Sequence, residues 1–236
     1  MNFENFKSQI TDISTQNNIM LSEEQILKFY KYMNLLTQWN EKINLTAITD
    51  PLEIIEKHFI DSLTIMTYIK DNQNLIDIGT GAGFPGIPLN IVNSKMNITL
   101  LDSLNKRIIF LNEVIKELDL ENIKAIHSRA EDYNKENREK FDIAVSRAVA
   151  NMSTLVEYLL PYVKIGGICI CMKGPNIEDE LSNSKKAIKL LGGEIEEIKN
   201  FNIGENERNI IIIRKKEKTP TKFPRKAGMP TKEPIK

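Results

Sequence analysis

Apolar residues recur along this chain in two rhythms, and the change between them falls near residue 70. Before it they keep helical spacing. Ser22-Glu23-Glu24-Gln25 forms a capping box, in which the serine and the residue three places on satisfy each other's free backbone N–H groups. Ile26, Phe29, Tyr30, Met33 and Leu36 follow on one face. Asp50-Pro51-Leu52-Glu53 is a second helix start, with Asp50 as cap and Pro51 where no N–H is needed. Its stripe is Ile54, Ile55, His58, Phe59, Ser62, Leu63 and Met66, and residues 1–70 read as helical throughout.

Beyond that point short β-rich runs alternate with amphipathic stretches. Strands are predicted over 74–78, 97–102, 123–127, 141–146 and 166–172, with helices near 86–93, 104–118, 151–161 and 176–191. Such alternation implies right-handed crossovers and a mostly parallel sheet covered on both faces. The pattern then breaks: runs 193–202 and 208–214 are joined by Gly204-Glu205-Asn206-Glu207 with no helix between. That is a hairpin, so the sheet is expected to end on an antiparallel strand. The expected architecture is α/β, a Rossmann-like doubly wound sheet carrying an N-terminal helical extension. The divisions are 1–70 for the extension, 71–215 for the sheet domain and 216–236 for a basic, Pro- and Lys-rich tail without periodicity.

Composition adds few constraints. The 236 residues, 41% apolar and 27% charged, suit a globular α/β domain, and no apolar run approaches a membrane helix. Met1-Asn2-Phe3-Glu4-Asn5-Phe6 has neither a basic region nor an apolar core, so no signal peptide is expected. The two cysteines, Cys169 and Cys171, share a face of one predicted strand and read as buried thiols of a cytosolic protein. No further Cys or His stands at ligand spacing, so no metal is expected. Charge is informative. From Arg214 onward nine basic residues face two acidic ones, giving +7 and leaving −7 on the rest of a formally neutral chain. An acidic body with a basic tail points to a polyanion met at one place.

The candidate chemistry begins where the first predicted strand ends, at Asp77-Ile78-Gly79-Thr80-Gly81-Ala82-Gly83-Phe84-Pro85-Gly86. Ligands of open α/β sheets bind outside the carboxyl ends of the strands. Glycine there lets the backbone turn and approach a ligand with no Cβ in the way. Two cofactors compete for this loop. As D-x-G-x-G-x-G, with Asp77, Gly79, Gly81 and Gly83, it reads as an S-adenosylmethionine cradle in which Asp77 meets the cationic amino group. As Gly81-Ala82-Gly83-Phe84-Pro85-Gly86 it also satisfies the dinucleotide fingerprint. A carboxylate just ahead would repel a pyrophosphate, and together with the hairpin this favours S-adenosylmethionine and the class I methyltransferase arrangement.

Asp102 closes the second strand about twenty residues later, where a carboxylate accepts ribose hydroxyls in either cofactor class; the alternative is a cap for the next helix, which Ser103 would fill equally. Ser128-Arg129-Ala130-Glu131-Asp132 reads as a polar loop able to hold an adenine edge. Arg147 ends the fourth strand at the cleft mouth, suited to a cofactor carboxylate or a phosphate. His58 sits on an apolar stripe as a half-buried histidine or a binding residue, and Lys173 leaves the fifth strand where RNA phosphate or solvent would meet it.

With these residues placed, the chain resembles the 16S rRNA (guanine(527)-N7)-methyltransferase family, also called glucose-inhibited division protein B. The likeness rests on Trp39-Asn40-Glu41-Lys42-Ile43-Asn44-Leu45-Thr46, Lys57-His58-Phe59-Ile60-Asp61-Ser62-Leu63, the glycine loop through Leu89, Ser146-Arg147-Ala148 and Thr219-Pro220-Thr221-Lys222-Phe223-Pro224-Arg225-Lys226. It implies cofactor contacts at Gly79, Phe84, Ala130, Glu131 and Arg147, and a cytoplasmic enzyme, expected to be a monomer, that methylates one guanine of small-subunit ribosomal RNA.

Guanine N7 carries an in-plane lone pair and no proton, so no general base is expected. Catalysis is then mostly positioning, with His58 and Arg147 as the candidates. RNA phosphates are expected at Lys57, Lys106, Arg107, Lys173, Lys222, Arg225 and Lys226. If four tail cations engage phosphates, log K should fall against log salt with a slope of about −3. A nucleotide-dependent oxidoreductase and a non-catalytic ribosome-assembly factor remain the alternatives.

Overall fold

Each central strand sends alternate residues into two separate cores. Leu75, Ile143, Val145, Ile168 and Ile170 join one apolar cluster, whereas Ile76, Ala144, Cys169 and Cys171 join the other. A sheet buried on both faces needs such near-continuous apolar strands. The computed structural model describes residues 1–147 and 150–235. Ala148 of the Ser146-Arg147-Ala148 motif and Lys236 of the tail lie outside the described residues.

The strands are β1 (Asn74–Ile78), β2 (Asn97–Asp102), β3 (Ile123–His127), β4 (Phe141–Arg147), β5 (Val163–Lys173), β6 (Gly193–Ile203) and β7 (Asn206–Lys215). They form one sheet in the order β3-β2-β1-β4-β5-β7-β6. β1 pairs in parallel with β2 and β4, and the order reverses at β1, which creates the crevice. β7 enters antiparallel between β5 and β6, as the hairpin pattern predicts. The turn is tighter than the sequence suggests, for Ile203 already pairs with Asn206.

Helices α1 (Phe3–Gln16) and α2 (Glu23–Ile43) precede the sheet, and Ser22 and Gln25 form the predicted capping box. The second predicted start is also realised: Asp50 caps α3 (Pro51–Ile54) by accepting from the N–H groups of Leu52 and Glu53. The helix then widens into a π-type turn over Ile55–Ile60 before α4 (Asp61–Leu63). So 1–70 is not helical throughout, for extended chain separates α2 from α3. These helices share their apolar cluster with the sheet, including Phe29, Phe59, Ile87 and Leu100.

Around the sheet run α5 (Gly86–Val92), α6 (Asn105–Glu117), α7 (Ala130–Asn137), α8 (Met152–Leu159) and α9 (Glu178–Leu190), with a short α10 (Met229–Lys232) near the end. One of these departs from expectation. Residues 128–132 are not a plain loop, because α7 begins at Ala130. The tail, which has no periodicity in the sequence, is packed on the domain: the Arg138 guanidinium donates to the carbonyls of Thr219, Pro220 and Phe223, and Pro230 lies buried. No helix among the described residues is long and apolar enough to cross a membrane.

Candidate functional site

A cavity of about 800 Å³ opens at the carboxyl ends of β1, β2 and β4, floored by Gly79–Ala82 and Phe84. Gly79 and Gly81 have φ of +70° and +62°, a region that favours glycine. A Cβ on Gly81 would meet nothing closer than the Gly79 carbonyl oxygen at 4.0 Å, so the space above it is free for a ligand. Gly83 and Gly86 serve packing instead. A Cβ on Gly83 would come within 2.8 Å of the Tyr32 hydroxyl, and one on Gly86 within 2.2 Å of Leu100 Cδ2. From α2 the Tyr32 hydroxyl donates to the Ala82 carbonyl, which ties the helical extension to the loop.

Asp77 lies beneath the loop, not in the cavity. It is fully buried; its Oδ2 accepts from Thr80 Oγ1 at 2.7 Å and from Gly86 N at 2.9 Å, while Oδ1 has no partner among the described residues. Burial pushes its pKa up to about 7, against the pull of the Thr80 and Gly86 hydrogen bonds.

Asp102 does several jobs at once. Its Oδ2 accepts from Gly81 N and from Arg107 Nη1, both at 3.0 Å, and its Oδ1 accepts from Leu104 N at 2.9 Å. The residue that shapes the glycine loop thus also caps the turn into α6, and it faces the cavity together with Ser103. Ser128, Arg129, Ala130 and Glu131 form the next wall. Glu131 Oε1 accepts from Gly228 N at 2.9 Å, so the tail closes this end, and Gly228 and Thr231 are cavity residues.

The opposite wall is a layered ion cluster. Arg147 donates through Nη1 to Asp61 Oδ2 and to the Lys57 carbonyl, each at 2.9 Å, and its guanidinium stands 4.9 Å from the Phe84 ring centroid. Its Nη2 lies 3.0 Å from His58 Nδ1. Nδ1 therefore stands between a group that can only donate, Arg147, and one that can only accept, the Lys57 carbonyl at 3.1 Å, while Nε2 lies 2.8 Å from Thr46 Oγ1. The imidazole stacks on Phe84 with centroids 4.4 Å apart. Burial, and then the Arg147 charge, drives the His58 pKa down to about 3, so the ring is neutral at physiological pH. Asp61 also accepts from Arg208 Nε at 3.1 Å and is thereby shared between two arginines.

This arrangement of sheet, loop and cavity has recognisable relatives. The model of the family described as rRNA small subunit methyltransferase G matches residues 25–211. The chain belongs to that family. The Acetivibrio thermocellus ribosomal RNA small subunit methyltransferase G is 54% identical over 92% of this chain and 91% of its own length. Its Clostridium tetani counterpart is 53% identical over 92% and 94%. At the level of fold alone, precorrin-6y C5,15-methyltransferase from Geobacter metallireducens aligns with TM-score 0.54 at 16% identity, over 66% of this chain and 87% of that one. M. jannaschii TYW2, solved in complex with AdoMet, gives the same TM-score and identity over 66% and 76%. The fold is the class I methyltransferase fold, as the terminal hairpin indicated.

Within this methyltransferase the cavity gathers eight of the residues expected at the cofactor: Gly79, Gly81, Phe84, Asp102, Ser103, Ala130, Glu131 and Arg147. Asp77 and Gly83, also expected there, do not line the cavity and serve the loop from below. Four of the cations expected at RNA are paired with carboxylates in this structure. Lys57 meets Glu53 at 2.6 Å, Arg107 meets Asp102, Lys173 meets Glu180 at 2.9 Å, and Arg225 meets the buried Glu157 at 2.7 Å. Lys106, Lys222 and Lys226 are exposed, with no ion pair among the described residues. Tyr32, Thr46, Asp61, Tyr158 and Arg208 were not singled out by the sequence. Asp61 and Thr46 stand inside the family motifs; the other three carry no local signal.

Proposed function

We propose that this chain transfers a methyl group from S-adenosylmethionine to N7 of guanine 527 in 16S ribosomal RNA, working in the cytoplasm as a monomer on the RNA of the small subunit. The observation that carries the reading is the open cavity over Gly79 and Gly81, walled by Asp102, Glu131 and Arg147, in a chain of this family. The residues present fit the cofactor. The loop leaves room above Gly81, Asp102 and Ser103 lie where ribose hydroxyls need acceptors, and the 128–131 wall suits an adenine edge.

S-adenosylmethionine is the cofactor, and when bound it supplies a methyl group already activated on a cationic sulfur. The protein's task is alignment, because guanine N7 has no proton to remove. His58 is suited to that: it is neutral and held between Thr46 and Arg147 against Phe84. Asp61, shared between Arg147 and Arg208, holds the Arg147 guanidinium in this wall. The purine must be splayed out of folded RNA to arrive there. Lys106, Lys222 and Lys226 then hold phosphates.

The test is methyl transfer from labelled S-adenosylmethionine to small-subunit RNA, followed by mapping of N7-methylguanine. One modified guanine at position 527 is the expected result. Transfer to another atom or another nucleotide would refute the assignment. Calorimetry that found NAD bound and S-adenosylmethionine rejected would refute the cofactor as well.

A further inference from the structure

The sheet and its crossover helices do not enclose the cofactor cavity by themselves. At the end formed by residues 128–131, part of the wall is the chain's own tail, where Gly228 and Thr231 stand with Thr154 and Tyr158 of α8. We propose that residues 228–231 belong to the cofactor site and close over the adenosine half of S-adenosylmethionine, so that cofactor binding fastens the segment flanked by Lys226 and Lys232. This requires only the cofactor, whichever base is methylated, so it and the functional reading fail separately.

Three observations carry it. The first is how the segment is held. Gly228 N donates to Glu131 Oε1 on α7 at 2.9 Å, Thr154 Oγ1 donates to the Pro230 carbonyl at 2.9 Å, and the Tyr158 and Thr231 hydroxyls lie 3.0 Å apart. Residues 228–231 therefore bridge α7 and α8 at the edge of the cavity. The second is what remains for a ligand. With Oε1 engaged, Glu131 Oε2 has no partner among the described residues, and it can accept from the adenine amine or a ribose hydroxyl. Whichever of the Tyr158 and Thr231 hydroxyls donates to the other, the second keeps its own proton for an adenine ring nitrogen. The third is space. Gly228 has φ of +84°, and a Cβ built on it would meet nothing within 4 Å, so its backbone borders open volume as that of Gly81 does.

Reciprocity fixes how the effect is read. Whatever factor the docked segment adds to cofactor affinity, the bound cofactor adds to the docking of the segment. The anchors further up the tail do not depend on it. Arg225 stays paired with Glu157, and Phe223 stays in the apolar cluster that holds Leu155 of α8, so removal of residues 228–236 leaves the rest of the tail fastened.

The experiment compares the full chain with a form ending at Ala227. Calorimetry measures the binding of S-adenosylmethionine and of 5′-methylthioadenosine, which keeps the adenosine and lacks the amino-acid part. Both ligands are expected to bind the shortened chain about tenfold more weakly, and by the same factor. Affinities within about twofold of the full chain, or a loss confined to S-adenosylmethionine, would overturn the proposal. A second arm uses the full chain alone and times trypsin cleavage after Lys226 and Lys232 with and without saturating S-adenosylhomocysteine. Cleavage there is expected to slow about tenfold, while cleavage after the exposed Lys95, near the amino end of β2, is unchanged. Absence of protection, or equal protection at Lys95, would overturn the proposal even if the shortened chain does not fold.

Discussion

At the scale of single residues, the buried carboxyl of Asp77 makes a pH-dependent claim. Its folded-state pKa, about 7, stands above the ordinary 3.8, so the native state keeps a proton that the unfolded chain gives up. Its contribution to stability is full below pH 3.8 and is lost as pH rises toward 7. In Asp77→Asn the charge is absent while an oxygen remains for Gly86 N. That variant should therefore gain roughly 2 kcal/mol over wild type between pH 5 and pH 8, read from urea midpoints. His58 behaves in the opposite sense. Its pKa is depressed to about 3, so its contribution is present above pH 6.5 and fades as the medium turns acid. Being common to both proteins, it cancels in the comparison. Gly83 makes a steric claim at the same scale. With φ of +101° and Ile87 Cδ1 only 2.5 Å from an added Cβ, Gly83→Ala should cost about 2–3 kcal/mol and weaken cofactor binding.

Between elements, two joints hold the cavity in shape. One is the Tyr32 hydroxyl of α2 on the Ala82 carbonyl. Tyr32→Phe removes a single donor and keeps the ring among Phe59 and Phe84, so the expected loss is about 1 kcal/mol of stability. Because the partner is the cofactor loop itself, S-adenosylmethionine affinity should fall about fivefold. The other joint fastens the tail. Arg225 makes a bidentate pair with Glu157, which is fully buried on α8, and Gly228 N reaches Glu131 beside it. Arg225→Ala leaves the Glu157 charge without its counterion, a loss of about 3 kcal/mol. Limited trypsin digestion should then cut after Lys222 and Lys226 well before wild type is touched, whereas Arg225→Lys restores a charge but not the fork.

Over the whole molecule, the charge that the composition displays is not the charge that a polyanion would meet. Nine basic residues stand from Arg214 onward. The fold spends Arg214 on Glu196, Lys216 on Glu194, Arg225 on Glu157 and the buried Lys215 on the Leu160 carbonyl and Thr219. Lys218, Lys222, Lys226 and Lys232 remain exposed, with no ion pair among the described residues. If these four cations engage phosphates, the salt slope expected for binding to the proposed rRNA substrate is about −3. Lys222→Ala with Lys226→Ala should reduce that slope in magnitude by about 1.5, checked by filter binding at several salt concentrations. An unchanged slope would show that RNA is gripped elsewhere.

How far the sequence reached follows from the range of the forces involved. Strand alternation, the capping box at Ser22, the cap at Asp50, the hairpin and the glycine loop are patterns confined to a few neighbours, and each appears where the pattern put it; only the reciprocal bond from Glu53 is missing, because its carboxylate accepts from Lys57 instead. Conformational demand at Gly79 and Gly81, and the place of Asp102 at the end of its strand, are equally local. The direction of a long side chain is not. Whether Asp77 faces ligand or loop depends on Thr80 and Gly86 folding over it, and whether Arg225 meets phosphate or Glu157 depends on where α8 lies. The Asp61–Arg147–Arg208 cluster joins residues 147 positions apart in the chain, a separation no periodicity can announce. The sequence by itself determined the sheet, its reversal point and the cofactor loop, because backbone geometry is set by neighbours. Only the tertiary structure decided which charges are free and which segment closes the cavity, because burial and counterions are properties of the packed chain.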